Sequence, residues 1–107
     1  MNQTGIAQVP EFPRLDSPPP GIEATLLIRG ATYGLFEHQA RITQDLKQAM
    51  QRAQNWPKLQ DDMKESLHLI ASKIARILNG DPNYVDSWHD IIGYALLIEK
   101  RLTKEQV

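Results

Sequence analysis

The chain has 107 residues, 41% of them hydrophobic and 23% charged, with a formal net charge of −1 and no cysteine. That length holds one small domain whose fold buries about two thirds of the unfolded surface, so a homo-oligomer that hides more apolar area is expected. The charge balance gives no basic field for duplex nucleic acid, the missing thiols exclude disulfides and thiolate metal sites, and no apolar run reaches the roughly 18 residues of a membrane span.

Residues 1–21, MNQTGIAQVPEFPRLDSPPPG, carry five of the seven prolines and no repeating apolar pattern, and read as an extended proline-rich arm. Val9, Phe12 and Leu15 are its candidate contacts with a neighbouring subunit; a disordered tail is the alternative. Its start lacks the basic and then apolar character of a signal peptide, so a soluble, intracellular protein is expected. Residues 22–107 read as a single all-α helical domain, a compact bundle of three long helices and one short one. IEATLLIR, from Ile22 to Arg29, predicts a short helix that stops at Gly30, with GATYG as a turn.

The second predicted helix, LFEHQARITQDLKQAMQRAQ, places Phe36, Ala40, Thr43, Leu46, Met50 and Ala53 at spacings of three and four, the mark of an amphipathic helix. Pro57 ends it, because the residue before proline is disfavoured in helical geometry. The third has Asp61 or Asp62 as candidate N-cap and Gly80 as candidate C′ residue. At about 100° per residue, Met63, Leu67, Ile70, Ile74, Ile77 and Leu78 form its apolar face; Glu65, His68, Ser72, Arg76 and Lys73 lie opposite. The fourth begins at GDPNY, with Asp81 as cap and Pro82 at the first helical position, and runs to about Leu102. Its predicted apolar arc is Val85, Trp88, Ile91, Ile92, Ala95, Ile98 and Leu102, with Asp86, His89, Asp90 and Gly93 opposite.

The candidate chemistry sits on the last two helices. Lys73 and Arg76, three apart, can point at one anion, arginine with a planar fork that fits phosphate and lysine with a compact charge. Asp86 and Asp90, four apart, stack on one face, and with Glu65 they form a carboxylate set of the kind that holds magnesium through one or two acids and water. Tyr33, Phe36, Trp88 and Tyr94 are rings on which a nucleobase stacks, with Trp88 assigned to the core. His38, His68 and His89 lie on separate helices without zinc spacing. There is no nucleophile elbow and no glycine-rich phosphate loop. Fixed ion pairs between Asp86 or Asp90 and Lys73 or Arg76 are the competing reading of the same residues.

The stretches ATYGLFEHQARI and KIARILNGDPNYVDSWHDIIGYALLIEKRL, with the helix between them, resemble a family of small phage and prophage proteins of unassigned function, over about Arg29 to Leu102. That family is similar in turn to the all-α, MazG-like nucleotide pyrophosphohydrolases, which form dimers or tetramers and hold magnesium with acids in E-E-x-x-E and E-x-x-D patterns. Against those patterns Glu65 matches one acid, His68 stands three residues on, and Lys73 and Arg76 follow where the enzymes concentrate acids. Asp86 and Asp90 occupy the second cluster, with His89 at the acid position three on. The resemblance implies a MazG-like fold, a phage-encoded protein of the bacterial host cytoplasm, and a nucleotide-type ligand held without a metal. In that reading Lys73 and Arg76 hold phosphates, Asp86, His89 and Asp90 position the ligand, and Tyr33 or Tyr94 stacks. The alternatives are a magnesium-dependent pyrophosphohydrolase or nucleotide-modifying enzyme using Glu65, Asp86, Asp90 and Lys73, and a structural dimer with buried ion pairs and no ligand.

Overall fold

A computed structural model describes residues 20–105. These form four α-helices, α1 (Pro20–Tyr33), α2 (Phe36–Gln51), α3 (Asp61–Asn79) and α4 (Val85–Glu105), with one 3₁₀ turn at Trp56–Lys58 before α3. No strand occurs among the described residues, so the all-α bundle expected from the sequence is present. The central helix is α3, with α2 on one side and α4 on the other. The molecule measures 58 × 30 × 30 Å.

The helix boundaries differ from the sequence-based ones in several places: α2 ends at Gln51, short of the expected stop at Pro57, α4 runs on past Leu102 to Glu105, and four further differences each have a local reason. Proline at a first helical position is pre-organised for the helix, so α1 starts at Pro20 and takes in Pro20 and Gly21 from the expected arm; the rest of that arm, with Val9, Phe12 and Leu15, lies outside the described residues. Gly30 does not stop α1. The stop comes at Gly34, whose φ of +80° suits the left-handed cap and whose N–H donates to the Gly30 carbonyl at 2.8 Å. Gln60 caps α3, with Asp61 and Asp62 one step inside, in its first turn. Finally, the Asp81 carboxylate accepts from the Asn83 N–H at 2.9 Å, a local turn that holds residues 81–84 out of the helix, so α4 starts at Val85.

Small side chains occupy the helix crossings. Ala71 and Ala75 of α3 are the buried apolar residues, joined by Gln39 and Thr43 of α2, Ser66 of α3 and Ser87 of α4. Two of the hydroxyls are satisfied, Thr43 within α2 by donating to the Gln39 carbonyl at 3.0 Å and Ser66 across the α3–α4 crossing by donating to the Tyr94 carbonyl at 3.0 Å. Such residues let helix backbones approach closely, at the expense of buried apolar volume. The large apolar residues flank the crossings instead of filling them, and the expected arcs shift accordingly. Leu78 is 66% exposed, Val85 70% and Ile92 62%, while Trp88, assigned to the core, is half-exposed and donates its ring N–H to the Pro82 carbonyl at 2.8 Å.

Ion pairs fasten α3 to α4 at two levels. Arg101 of α4 grips the Asp62 carboxylate with Nε and Nη2, the latter at 2.7 Å, and reaches Glu105 at 2.9 Å. Lys73 Nζ meets Asp90 Oδ2 at 2.9 Å. The hydrogen bond from Arg101 holds the Asp62 carboxyl below its ordinary value, and that from Lys73 does the same for Asp90.

Candidate functional site

The site is built where two chain reversals meet. Gly34 lies against the backbone carbonyl and side-chain amide of Asn79, and Gly80 against the Thr32 carbonyl and the Tyr33 backbone; a Cβ at either glycine collides with the other corner. With that room, the Asn79 carboxamide donates to the Tyr33 carbonyl at 2.8 Å and the Leu35 carbonyl at 2.9 Å, straddling Gly34. The Asp81 N–H donates to the Thr32 carbonyl at 2.6 Å. Carbonyls left open at the end of α1 thus find donors on the end of α3 and the residues after it.

This clamp sets Tyr33 beside Arg76, one turn before Asn79 on α3. The Arg76 guanidinium lies 4.5 Å from the Tyr33 ring centroid, and that of Arg29, one turn earlier on α1, lies 5.3 Å from it. Both distances fit cation–π attraction. Tyr84 meets the Tyr33 ring edge-on at 5.8 Å. Beside them opens a cavity of about 270 Å³ lined by Leu26, Arg29, Tyr33, Phe36, Gln39 and Arg76, among others. Neither Arg29 nor Arg76 forms an ion pair among the described residues. Arg76 Nε is buried without a hydrogen-bond partner there, and a buried unpaired donor on a cation is costly.

Of the residues singled out from the sequence, Tyr33, Phe36 and Arg76 come together at this cavity. Lys73 does not join them: its ammonium is engaged by Asp90, as the ion-pair reading expected. Asp86 accepts from the Tyr84 hydroxyl at 3.1 Å, and that hydrogen bond, with the carboxylate's charge behind it, pushes the Tyr84 phenol up. His89 is exposed on α4. Tyr94 lies with Asp62 and Glu65 along a separate groove between α3 and α4. Among the described residues no group of three or more His, Asp or Glu side chains is placed to hold a metal ion; Glu65, Asp86 and Asp90 are not gathered into one.

Two polar lining residues were missed by sequence reasoning, Arg29 and Gln39. Arg29 and Tyr33 are four apart and share a face of α1, a signal hidden by reading Gly30 as the helix end. Gln39 is 7% exposed although polar, a burial that only the fold reveals. Chemically, two guanidiniums without acid partners attract an anion, and the Tyr33 and Phe36 rings supply stacking surface beside it. No helix among the described residues is long and apolar enough to cross a membrane. No protein-family model, curated protein or solved structure matches the chain.

Proposed function

We propose that this protein binds a nucleotide, with the phosphates held by Arg76 and Arg29 and the base stacked on Tyr33 or Phe36. The observation that carries the reading is the convergence of two guanidiniums on Tyr33, at the mouth of a cavity and without a carboxylate partner among the described residues. Charge-assisted contacts of arginine to phosphate are strong and bidentate, and a ligand anion relieves the buried Arg76 Nε. The remaining elements of the reading rest on the family resemblance: a MazG-like scaffold, phage origin, the host cytoplasm, and sequestration of a nucleotide signal of antiviral defence.

The test is mass spectrometry of small molecules released by heating the purified protein, with magnesium-dependent hydrolysis assayed on the same sample. A stoichiometric intact nucleotide, rebinding in the presence of a chelator and without turnover, is the expected result. Pyrophosphate release from an added nucleotide makes the protein an enzyme and overturns the sequestering role. Failure to bind any nucleotide leaves the ion-paired structural dimer.

A further inference from the structure

The cavity beside Tyr33 holds a neutral polar side chain that the fold does not use. Gln39 lines it and is 7% exposed. The backbone of Gln39 is bonded, its N–H to the Leu35 carbonyl at 3.1 Å and its carbonyl to the Thr43 hydroxyl at 3.0 Å. Its carboxamide makes no hydrogen bond among the described residues. Enclosing an amide without partners is costly, and packing alone is served as well by leucine. The buried Arg76 Nε is a second group without a partner at the same cavity. One neutral and one cationic group left open together call for a ligand with a neutral hydrogen-bonding part and an anionic part.

The rings of the site are already divided. Two guanidiniums lie over the Tyr33 ring and Tyr84 meets its edge, so Tyr33 is engaged by the protein itself. Phe36 enters no aromatic or cation–π pair among the described residues and is 77% exposed. It stands three residues before Gln39, on the same face of α2. A base lying flat on Phe36 therefore presents its edge toward the next turn, where Gln39 stands. A carboxamide sets a donor beside an acceptor, which matches a base edge that carries an N–H next to a ring nitrogen or a carbonyl oxygen.

The anionic part is short. A cavity of about 270 Å³ is at the small end of ligand sites. Arg29 and Arg76 bring two positive charges, and a phosphate monoester carries about −2 at pH 7. No carboxylate lines the cavity, so it offers no ligand for the magnesium that usually accompanies a longer phosphate chain.

We infer that the cavity is a site for a nucleoside monophosphate, with the base on Phe36 and Gln39 of α2 and the one phosphate on Arg29 and Arg76. The inference rests on the nucleotide reading above and narrows it: α2 selects the base, and the two arginines select a single phosphate.

Calorimetric titration of the full-length protein in excess chelator tests it. The probes are the four ribonucleoside 5′-monophosphates, the di- and triphosphate of whichever binds most tightly, and ribose 5-phosphate as the form without a base. The expected result is a monophosphate that binds more tightly than its triphosphate and at least about tenfold more tightly than ribose 5-phosphate. Gln39→Leu weakens the monophosphate about tenfold, the worth of two neutral hydrogen bonds, and leaves ribose 5-phosphate unchanged. Phe36→Ala has the same selective effect through lost stacking, and its exposed position keeps the test independent of how the buried Gln39 site tolerates leucine. A triphosphate that binds more tightly than the monophosphate overturns the inference. So does a monophosphate affinity that survives both substitutions, or a loss that ribose 5-phosphate shares in full. Those failures leave nucleotide binding standing, whereas no binding of any nucleotide probe overturns the reading beneath it as well.

Discussion

Replacing Asn79 by alanine tests the joint between the two corners. The carboxamide makes two hydrogen bonds, to the Tyr33 carbonyl at 2.8 Å and the Leu35 carbonyl at 2.9 Å, and alanine makes neither. A neutral hydrogen bond contributes about 0.5–1.5 kcal/mol net, and a buried acceptor left unpaired costs more. The Tyr33 carbonyl bond is partly buried, whereas water can reach the Leu35 carbonyl, so the pair is worth about 1.5–2.5 kcal/mol. In a domain of this size about 1 kcal/mol moves the midpoint by 4–8 °C, which makes the expected fall in Tm roughly 6–20 °C. The assay is thermal unfolding followed by circular dichroism at fixed protein concentration, since association shifts Tm by mass action. Asn79→Asp is the sharper companion: a carboxylate has no proton to donate and sets negative charge against two carbonyl oxygens, so it destabilises more than alanine does. A Tm within about 2 °C of wild type for Asn79→Ala, less than 0.5 kcal/mol by the same conversion, refutes the clamp.

Glycine substitutions divide by what a Cβ would meet. Gly34→Ala, with φ at +80° and the Asn79 backbone in the way, costs at least about 2 kcal/mol, and Gly80→Ala costs about 1–3 kcal/mol from overpacking against Thr32 and Tyr33; Gly93→Ala, inside α4 with open space around it, stabilises by about 0.5–1 kcal/mol, all read from denaturant midpoints. Arg76→Ala weakens nucleotide affinity by about 1.5–3 kcal/mol in a calorimetric titration, while Lys73→Ala lowers the unfolding midpoint and leaves affinity unchanged, because Lys73 serves Asp90. Acid loosens α3 from α4: Asp62 and Asp90 have carboxyls held below their ordinary value by Arg101 and Lys73, so their stabilisation is present above about pH 4 and is lost as pH falls through the folded values. A Tm series across that range falls more steeply for wild type than for Asp62→Asn, and parallel curves count against the assignment.

Periodicity made the helical class and the long helices legible, because apolar spacings of three and four survive in α2, α3 and α4 whatever packs against them. It misplaced the short-range features, where two local preferences compete. Gly30 is a weak helix former inside α1 that the flanking Leu27, Ile28, Ala31 and Thr32 carry through, and Pro82 lost its helical position to the turn that Asp81 makes with Asn83. The site was half legible. Arg76 stood out as one of a basic pair with Lys73, three residues apart, but Arg29 and Gln39, which line the cavity with it, come from elements distant in the chain, and the partner of Lys73 was decided by the α3–α4 crossing. The arcs of α4 were read as core since a single sequence does not distinguish a face buried inside a protomer from one left exposed on it.

The meeting of Gly34 with Asn79 and of Gly80 with Thr32 also has an evolutionary reading. Two reversals some 46 residues apart share one small volume, so neither can gain a side chain or an extra residue unless the other yields. Drift at position 34 is therefore conditional on position 79, and drift at 80 on the backbone course of 32 and 33. Any divergent relative that keeps this joint should change these positions together, or keep them while the exposed surfaces around them turn over freely.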